Sequence, residues 1–186
     1  YRRVMAITFH PDGRVTGLKL RQSGMVLQVQ NIFRSNADSY TINTTFQDVT
    51  GYSISITPTA VDSKIILTGT IPMRSLDVHM YGRFVRNVNG GSYSVPTGWV
   101  GDAAGSNRIR SMFGSGYRLS GAADQYSHSP IPVHLVDTSH NTTGTLNYKF
   151  QIRTSTSSHY TVYFGRNDND ADNTSNTRSQ GQLTLM

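Results

Sequence analysis

Thr45-Phe46-Gln47-Asp48-Val49-Thr50-Gly51-Tyr52-Ser53-Ile54-Ser55-Ile56-Thr57-Pro58, followed by Ser63-Lys64-Ile65-Ile66-Leu67-Thr68-Gly69, carries the clearest structural signal in the chain. Between Tyr52 and Ile56, the residues Tyr52, Ile54 and Ile56 fall on one face, and Ser53 and Ser55 on the other. A period of two is that of a β-strand with one buried face. Pro58 has no N–H to donate to a ladder, so the strand is expected to stop there. Thr59 to Ser63 then turns the chain. Lys64 to Thr68 reads as a second strand, whose Ile-Ile-Leu centre suits a buried position. The two strands are expected to pair as a hairpin or meander, with the other β segments layered on that pair.

The same pattern extends in both directions. Val4 to Phe9 and Val15 to Leu20 flank Pro11-Asp12-Gly13, a turn in which Pro presets φ and Gly accepts a positive φ. Met25 to Phe33 and Tyr40 to Phe46 alternate as strands around a polar loop, Ser35 to Ser39. Val78 to Arg86 is a strand, and Asn89-Gly90 supplies the backbone of a tight hairpin connection that Tyr93 to Val95 continues. Pro132 to Asp137, Leu146 to Thr154, Tyr160 to Phe164 and Leu183 to Met186 are further strands, and Asn167 to Gln180 is a polar loop. Pro96 to Ser129 is irregular and rich in glycine, with Ile109 to Phe113 as one short strand. No helical period of useful length and no fixed-period repeat is present. Many short strands separated by turn signals predict an all-β, jelly-roll-like antiparallel β-sandwich.

A chain of 186 residues fits one domain and can bury a proper core. Hydrophobic residues make up 36% and charged residues only 15%, which excludes the charge-rich composition of disorder. Small polar residues fill the gap, as suits turns and outward strand faces. The absence of cysteine removes disulfides, thiolate metal sites and cysteine nucleophiles together. No apolar run approaches the length of a membrane-spanning helix, so no membrane insertion is expected. The net charge of +6 admits nucleic acid, anionic lipid or acidic glycans as partners. The basic residues are nearly all Arg and are spread along the chain without a Lys/Arg run, so nucleic acid is not an expected partner. Every acidic residue is Asp, which favours turns and caps.

The Phe-x-Asp-Val-Thr-Gly turn at Phe46–Gly51, the Ile-Thr-Pro strand end at Ile56–Pro58 and the Ser-Lys-Ile strand start at Ser63–Ile65 resemble the C-terminal modules of tail fibres from tailed bacteriophages, particularly phages of marine bacteria and cyanobacteria. Gly24-Met25-Val26-Leu27-Gln28 resembles the opening strand of that module, and Gln182-Leu183-Thr184-Leu185-Met186 its closing strand. The resemblance spans Gly24 to Met186 and touches framework strands only; the middle, about Arg74 to His128, matches no motif. It implies a virion protein, a homotrimer joined to other tail or baseplate proteins, that attaches the particle to a host surface glycan or outer-membrane protein. Residues 1–23 are then expected to form an N-terminal hairpin or neck leading from an upstream shaft, or the first two strands of the main domain, with 24–186 as the fibre-tip module. The start at Tyr1 fits part of a longer polypeptide. A capsid fibre or decoration protein without a receptor role is the alternative within the same family of modules.

Enzyme signatures are absent: there is no Gly-x-Ser-x-Gly, His-Glu-x-x-His, P-loop or dinucleotide fingerprint. A glycosidase needs two carboxylates at a set separation, for which Asp102 and Asp124 are the candidates in a polysaccharide depolymerase reading. The expectation is that the protein is not an enzyme and carries no cofactor. Asp168, Asp170 and Asp172 place oxygen ligands at alternate positions as a calcium loop does, yet Asn173 stands where an EF-hand needs Gly and Ser179 where it needs Glu. They are a weak cation candidate beside the reading as a solvated loop. His128, His134 and His140 fall six apart across prolines and a turn, and read as ordinary histidines. The group with most chemical content is Trp99, Asp102, Arg108, Arg110, Tyr117, Arg118 and Tyr126. Aromatic faces suit the apolar side of a pyranose, and Asp and Arg suit hydroxyls and acidic substituents. The competing reading puts Trp99 and Tyr117 in the core or a subunit interface, and both stay open. If the group binds sugar, Trp99→Ala should abolish binding and leave unfolding nearly unchanged.

Overall fold

The computed structural model describes residues 8–9, 11, 15–16, 25–75, 79–102, 105, 107–115, 129–174 and 176–186. Among them are twelve strands and no helix. In chain order these are β1 (Thr8–Phe9), β2 (Val15–Thr16), β3 (Gln30–Arg34), β4 (Asp38–Ile42), β5 (Gln47–Ile56), β6 (Ile65–Ser75), β7 (Met80–Val88), β8 (Phe113–Ser115), β9 (Ser129–Asp137), β10 (Leu146–Thr154), β11 (Tyr160–Phe164) and β12 (Gly181–Leu185). β1 and β2 pair antiparallel across the Pro11 turn, Thr8 opposite Thr16.

The other ten strands form two antiparallel sheets. One has the order β5-β10-β7-β8. In the other, β6 is the spine. β9 runs along one side of it, from Ile65 opposite Asp137 to Met73 opposite Ser129. Along the other side, β12 pairs with Leu67–Thr70 and β11 with Met73–Ser75. β3 lies outside β12 and β4 outside β11. β11 and β12 therefore stand end to end, as do β3 and β4, so this sheet is also four rows wide. The result is a jelly-roll-like sandwich. Pro72 sits within the spine without disrupting it. Its missing N–H falls at the junction between β11 and β12, where its carbonyl accepts from Gly165 N at 3.1 Å.

The inward faces follow the period of two. On β10, Leu146, Tyr148, Phe150 and Ile152 are all fully buried. Their partners are Ile54 and Ile56 from β5, Phe84 from β7, Leu67 and Ile71 from β6, and Leu183 and Leu185 from β12. Phe150 anchors a ring cluster with Phe84, Tyr52 and Phe113 at centroid separations of 5.3, 6.2 and 5.9 Å.

Several expectations are corrected. β5 and β6 do not pair with each other: they belong to opposite sheets, and residues 57–64 cross between them. Two strands with strong apolar faces bury both faces by meeting across a core, which pairing side by side does not achieve. Asp48-Val49-Thr50-Gly51 is not a turn before the strand but part of it. The β5–β10 register jumps from Lys149 opposite Ser53 to Gln151 opposite Asp48, a β-bulge. Thr50 and Gly51 are consecutive exposed residues there, which resets the alternation so that Val49 and Tyr52 both face inward. Gly51 has φ +84°, and a Cβ on it would lie 2.7 Å from the Arg34 side chain. The first strand of the module pairs only over Gln30–Arg34, leaving 25–29 outside the ladder. β9 starts at Ser129, three residues early, because Pro130 and Pro132 are tolerated on an edge. Ile109–Phe113 is replaced by β8 at Phe113–Ser115. The Asn89-Gly90 turn forms as expected, with φ of 50° and 76°.

Candidate functional site

The residues singled out in the sequence separate into two groups. Trp99 is only 4% exposed. Its ring stacks on Tyr148 at 5.4 Å and 21°, and its Nε1 donates to Val136 O at 3.0 Å. The indole is thus part of the sandwich interior, stitching the loop after β7 to β10 and β9. Asp102, Arg108 and Arg110 are exposed on the loop that follows. That loop is closed by Gly101 N donating to Ser111 O at 3.2 Å and by Arg110 Nε donating to Gly101 O at 3.0 Å. The structure brings Asp102 and Arg110 onto one loop and turns Trp99 away from it. Tyr117, Arg118, Tyr126, Asp124 and His128 lie outside the described residues.

Beneath Trp99 lies a polar cluster that the sequence does not announce. Asp137, 1% exposed, ion-pairs with Arg86 and accepts from Tyr148 Oη at 2.8 Å, from Ser139 N at 2.9 Å and from Ser139 Oγ at 3.0 Å. Burial pushes its carboxyl pKa up, but the Arg86, Ser139 and Tyr148 hydrogen bonds outweigh burial and hold it below the usual value. Burial and the adjacent carboxylate push the Tyr148 phenol far above its ordinary value, so it stays a donor. His140 is buried too, with Nε2 2.7 Å from Ser63 O and Nδ1 3.0 Å from Thr142 O. Asp137, Tyr148, Ser139 and His140 have partners inside the fold and Arg86 pairs through one terminal nitrogen, with its Nε buried without a hydrogen bond among the described residues, which marks a structural network rather than an open site.

The Asp168–Asp172 loop is laced by arginines. Asp168 lies 3.5 Å from Arg74, and Asp170 lies 3.6 Å from Arg166 and 2.8 Å from Arg178. Asn176 Nδ2 ties the loop to Ala171 O at 2.6 Å. Among the described residues no group of three acidic or imidazole side chains is gathered as a metal site would require.

The outward face of the β5-β10-β7 sheet is the most chemically distinctive surface. The Arg83 guanidinium lies 3.8 Å from the Phe46 ring centroid and that of Arg153 lies 5.5 Å from it. Arg83 stands opposite Gln151 in the ladder, and Arg153 opposite Tyr81. Gln151 links the rows, accepting from Arg83 Nε at 2.9 Å and donating to Asp48 at 2.7 Å. Asp48 is neutralised by Lys149 at 2.6 Å, and burial's upward push on its pKa is outweighed by the Lys149 and Gln151 hydrogen bonds, which hold it low. Lys149 in turn lies 3.7 Å from the Tyr93 ring centroid. Partial burial, then repulsion from Arg153, lower the Arg83 pKa. The sequence showed Lys149, Gln151 and Arg153 alternating outward on β10. Only the β7–β10 register places Arg83 beside them, and only the tertiary fold brings in Phe46 from just before β5.

A second surface is apolar. Met25, Val26, Leu27 and Val29 are each about half exposed, and Phe33 is 60% exposed. Residues 25–28 flank an open groove of about 640 Å³ whose other walls include Ile56, Pro58, Ser63–Ile66 and Met186.

No family model and no curated protein matches the chain. Among solved structures, the fold is similar to part of the structure of infectious bursal disease virus Gt strain, with TM-score 0.44 and 12% identity over 85% of this chain and 31% of that one. It is also similar to part of the structure of infectious bursal disease virus Gx strain, with TM-score 0.40 and 14% identity over 85% of this chain and 36% of that one. The chain therefore spans about a third of the length of each of these neighbours.

Proposed function

We propose that the chain is a virion structural protein, a tail-fibre module that assembles as a homotrimer and attaches the particle to a bacterial surface glycan or outer-membrane receptor without turning it over. The observation that carries this reading is where the quoted motifs meet. Met25–Gln28 of the opening segment, the Ile-Thr-Pro end, the Ser-Lys-Ile start and the closing Met186 line one groove, although they come from opposite ends of the chain. The Gly51 bulge closes on Arg34 of the adjoining β3, and β12 pairs with both β3 and β6. The quoted motifs thus meet in one place in the fold, which supports reading them as parts of one module. Its apolar rim, Met25 to Val29 with Phe33, exposes side chains of the kind that oligomer interfaces cover.

The test is adhesion. Labelled protein should bind saturably to some members of a panel of bacteria, cyanobacteria included, and purified surface polysaccharide or outer-membrane vesicles from a bound strain should compete. Absence of binding across the panel by correctly assembled protein would overturn the attachment role. Release of reducing sugar from a bound polysaccharide would overturn the claim that it acts without turnover.

A further inference from the structure

Resting on the attachment reading, we propose that the Phe46–Arg83–Arg153 surface is the receptor site, and that its ligand class is an acidic saccharide bearing carboxylates. Three observations converge on it. Two guanidiniums share one phenyl ring, both within 5.5 Å of its centroid, on a sheet face that is partly exposed. Like charges held together this way raise the energy of the free protein unless an anion is near. Neither Arg83 nor Arg153 makes an ion pair with a carboxylate among the described residues, whereas Arg34, Arg74, Arg86, Arg166 and Arg178 all do. Asp48, which shares Gln151 with Arg83, is already matched by Lys149.

Among the described residues the two arginines hydrogen-bond through their Nε groups, Arg83 toward Gln151 Oε1 and Arg153 toward Thr154 O. The terminal nitrogens remain for a ligand, and their planar fork matches a carboxylate. The surroundings favour a sugar over a bare anion. Tyr81 stands beside Arg153 in the ladder, and its ring lies over Gly114, where a Cβ would come within 3.3 Å. An aromatic plane next to a cationic fork offers one surface for the apolar face of a pyranose and another for its charged substituent. Tyr81, Arg83 and Arg153 sit on paired strands and Phe46 directly precedes β5, so the spacing is preset.

The experiment is a titration of the assembled protein, followed by calorimetry and by amide and arginine Nε–H NMR. The probes are a galacturonate oligomer, a neutral glucose oligomer of the same length and inorganic sulfate. Binding of the galacturonate oligomer is expected, weakening as salt rises, with shifts centred on Phe46, Arg83, Gln151 and Arg153. The neutral oligomer and sulfate should bind at least about tenfold more weakly, as loss of a charge-assisted fork implies. Arg83→Gln/Arg153→Gln should weaken the oligomer about tenfold or more while thermal unfolding stays near wild type. Should that variant not fold, the wild-type shift map alone decides, since shifts elsewhere refute the site. Sulfate binding as tightly as the oligomer, or equal binding of neutral and acidic oligomers, overturns the ligand class. If the double variant still adheres to bacteria like wild type, this site is wrong and the attachment role stands; if wild type adheres to none, the attachment role itself fails.

Discussion

Replacing Trp99 with alanine separates a core tryptophan from a sugar-facing one. The side chain is 4% exposed, stacks on Tyr148 at 5.4 Å and donates from Nε1 to Val136 O at 3.0 Å. Removing a buried tryptophan typically costs about 3–5 kcal/mol through lost transfer energy and the cavity left behind. The stacked pair and the orphaned Val136 carbonyl place this site toward the upper half, about 4–5 kcal/mol. For a domain of this size each kcal/mol moves the midpoint by about 2–4 °C, so Trp99→Ala should melt about 8–20 °C below wild type. Trp99→Phe keeps a ring to stack, loses the N–H and leaves a smaller cavity, and should cost about 2–3 kcal/mol. Differential scanning calorimetry reads both, and adhesion measured below the lowered midpoint should match wild type. A Trp99→Ala midpoint within about 2 °C of wild type, with adhesion abolished, would refute this reasoning and return the indole to a ligand-facing role.

The buried Asp137 makes stability acid-sensitive. Its folded pKa is depressed, so its contribution is fully present above the ordinary carboxylate pKa of about 4 and is lost as pH falls through the folded value. Urea unfolding at pH 7 and pH 3 should show wild type losing more stability on acidification than Asp137→Asn. That variant should itself lose about 3–5 kcal/mol at pH 7, because Arg86 remains buried without its counter-charge. Gly51→Ala should cost about 1–3 kcal/mol by equilibrium unfolding, since φ is +84° and the new Cβ meets the Arg34 side chain at 2.7 Å. An unchanged midpoint would mean that the bulge relaxes freely.

The strands were legible wherever alternation ran long enough. Leu146-Tyr148-Phe150-Ile152 and Tyr52-Ile54-Ile56 read directly as buried faces, because burial on one side of a pleat imposes a period of two. Which strands pair was not legible. Pairing depends on partners distant in sequence, and β5 finds β10 rather than its neighbour β6. Pro58 marks the strand end correctly, but a proline cannot say whether the chain doubles back or crosses to the other sheet. Pro72, Pro130 and Pro132 hid the true lengths of β6 and β9, because their tolerance depends on edges and junctions that exist only in the sheet. The site was harder still. Trp99 offers the same sequence signal as a core residue or a sugar platform, and burial decides between them. Arg83 and Arg153 are 70 positions apart by their numbering and meet because β7 pairs with β10, with Phe46, just before β5, beside both.

On the proposed function, the exposed side chains of Met25, Val26, Leu27, Val29 and Phe33 are the surface a trimer would cover, and solution mass tests that assembly most directly. Light scattering after size exclusion should give a single species of about 60 kDa, three copies of a 20.5 kDa chain. A monodisperse species of about 20 kDa at the concentrations used for adhesion would contradict the proposed trimeric fibre module.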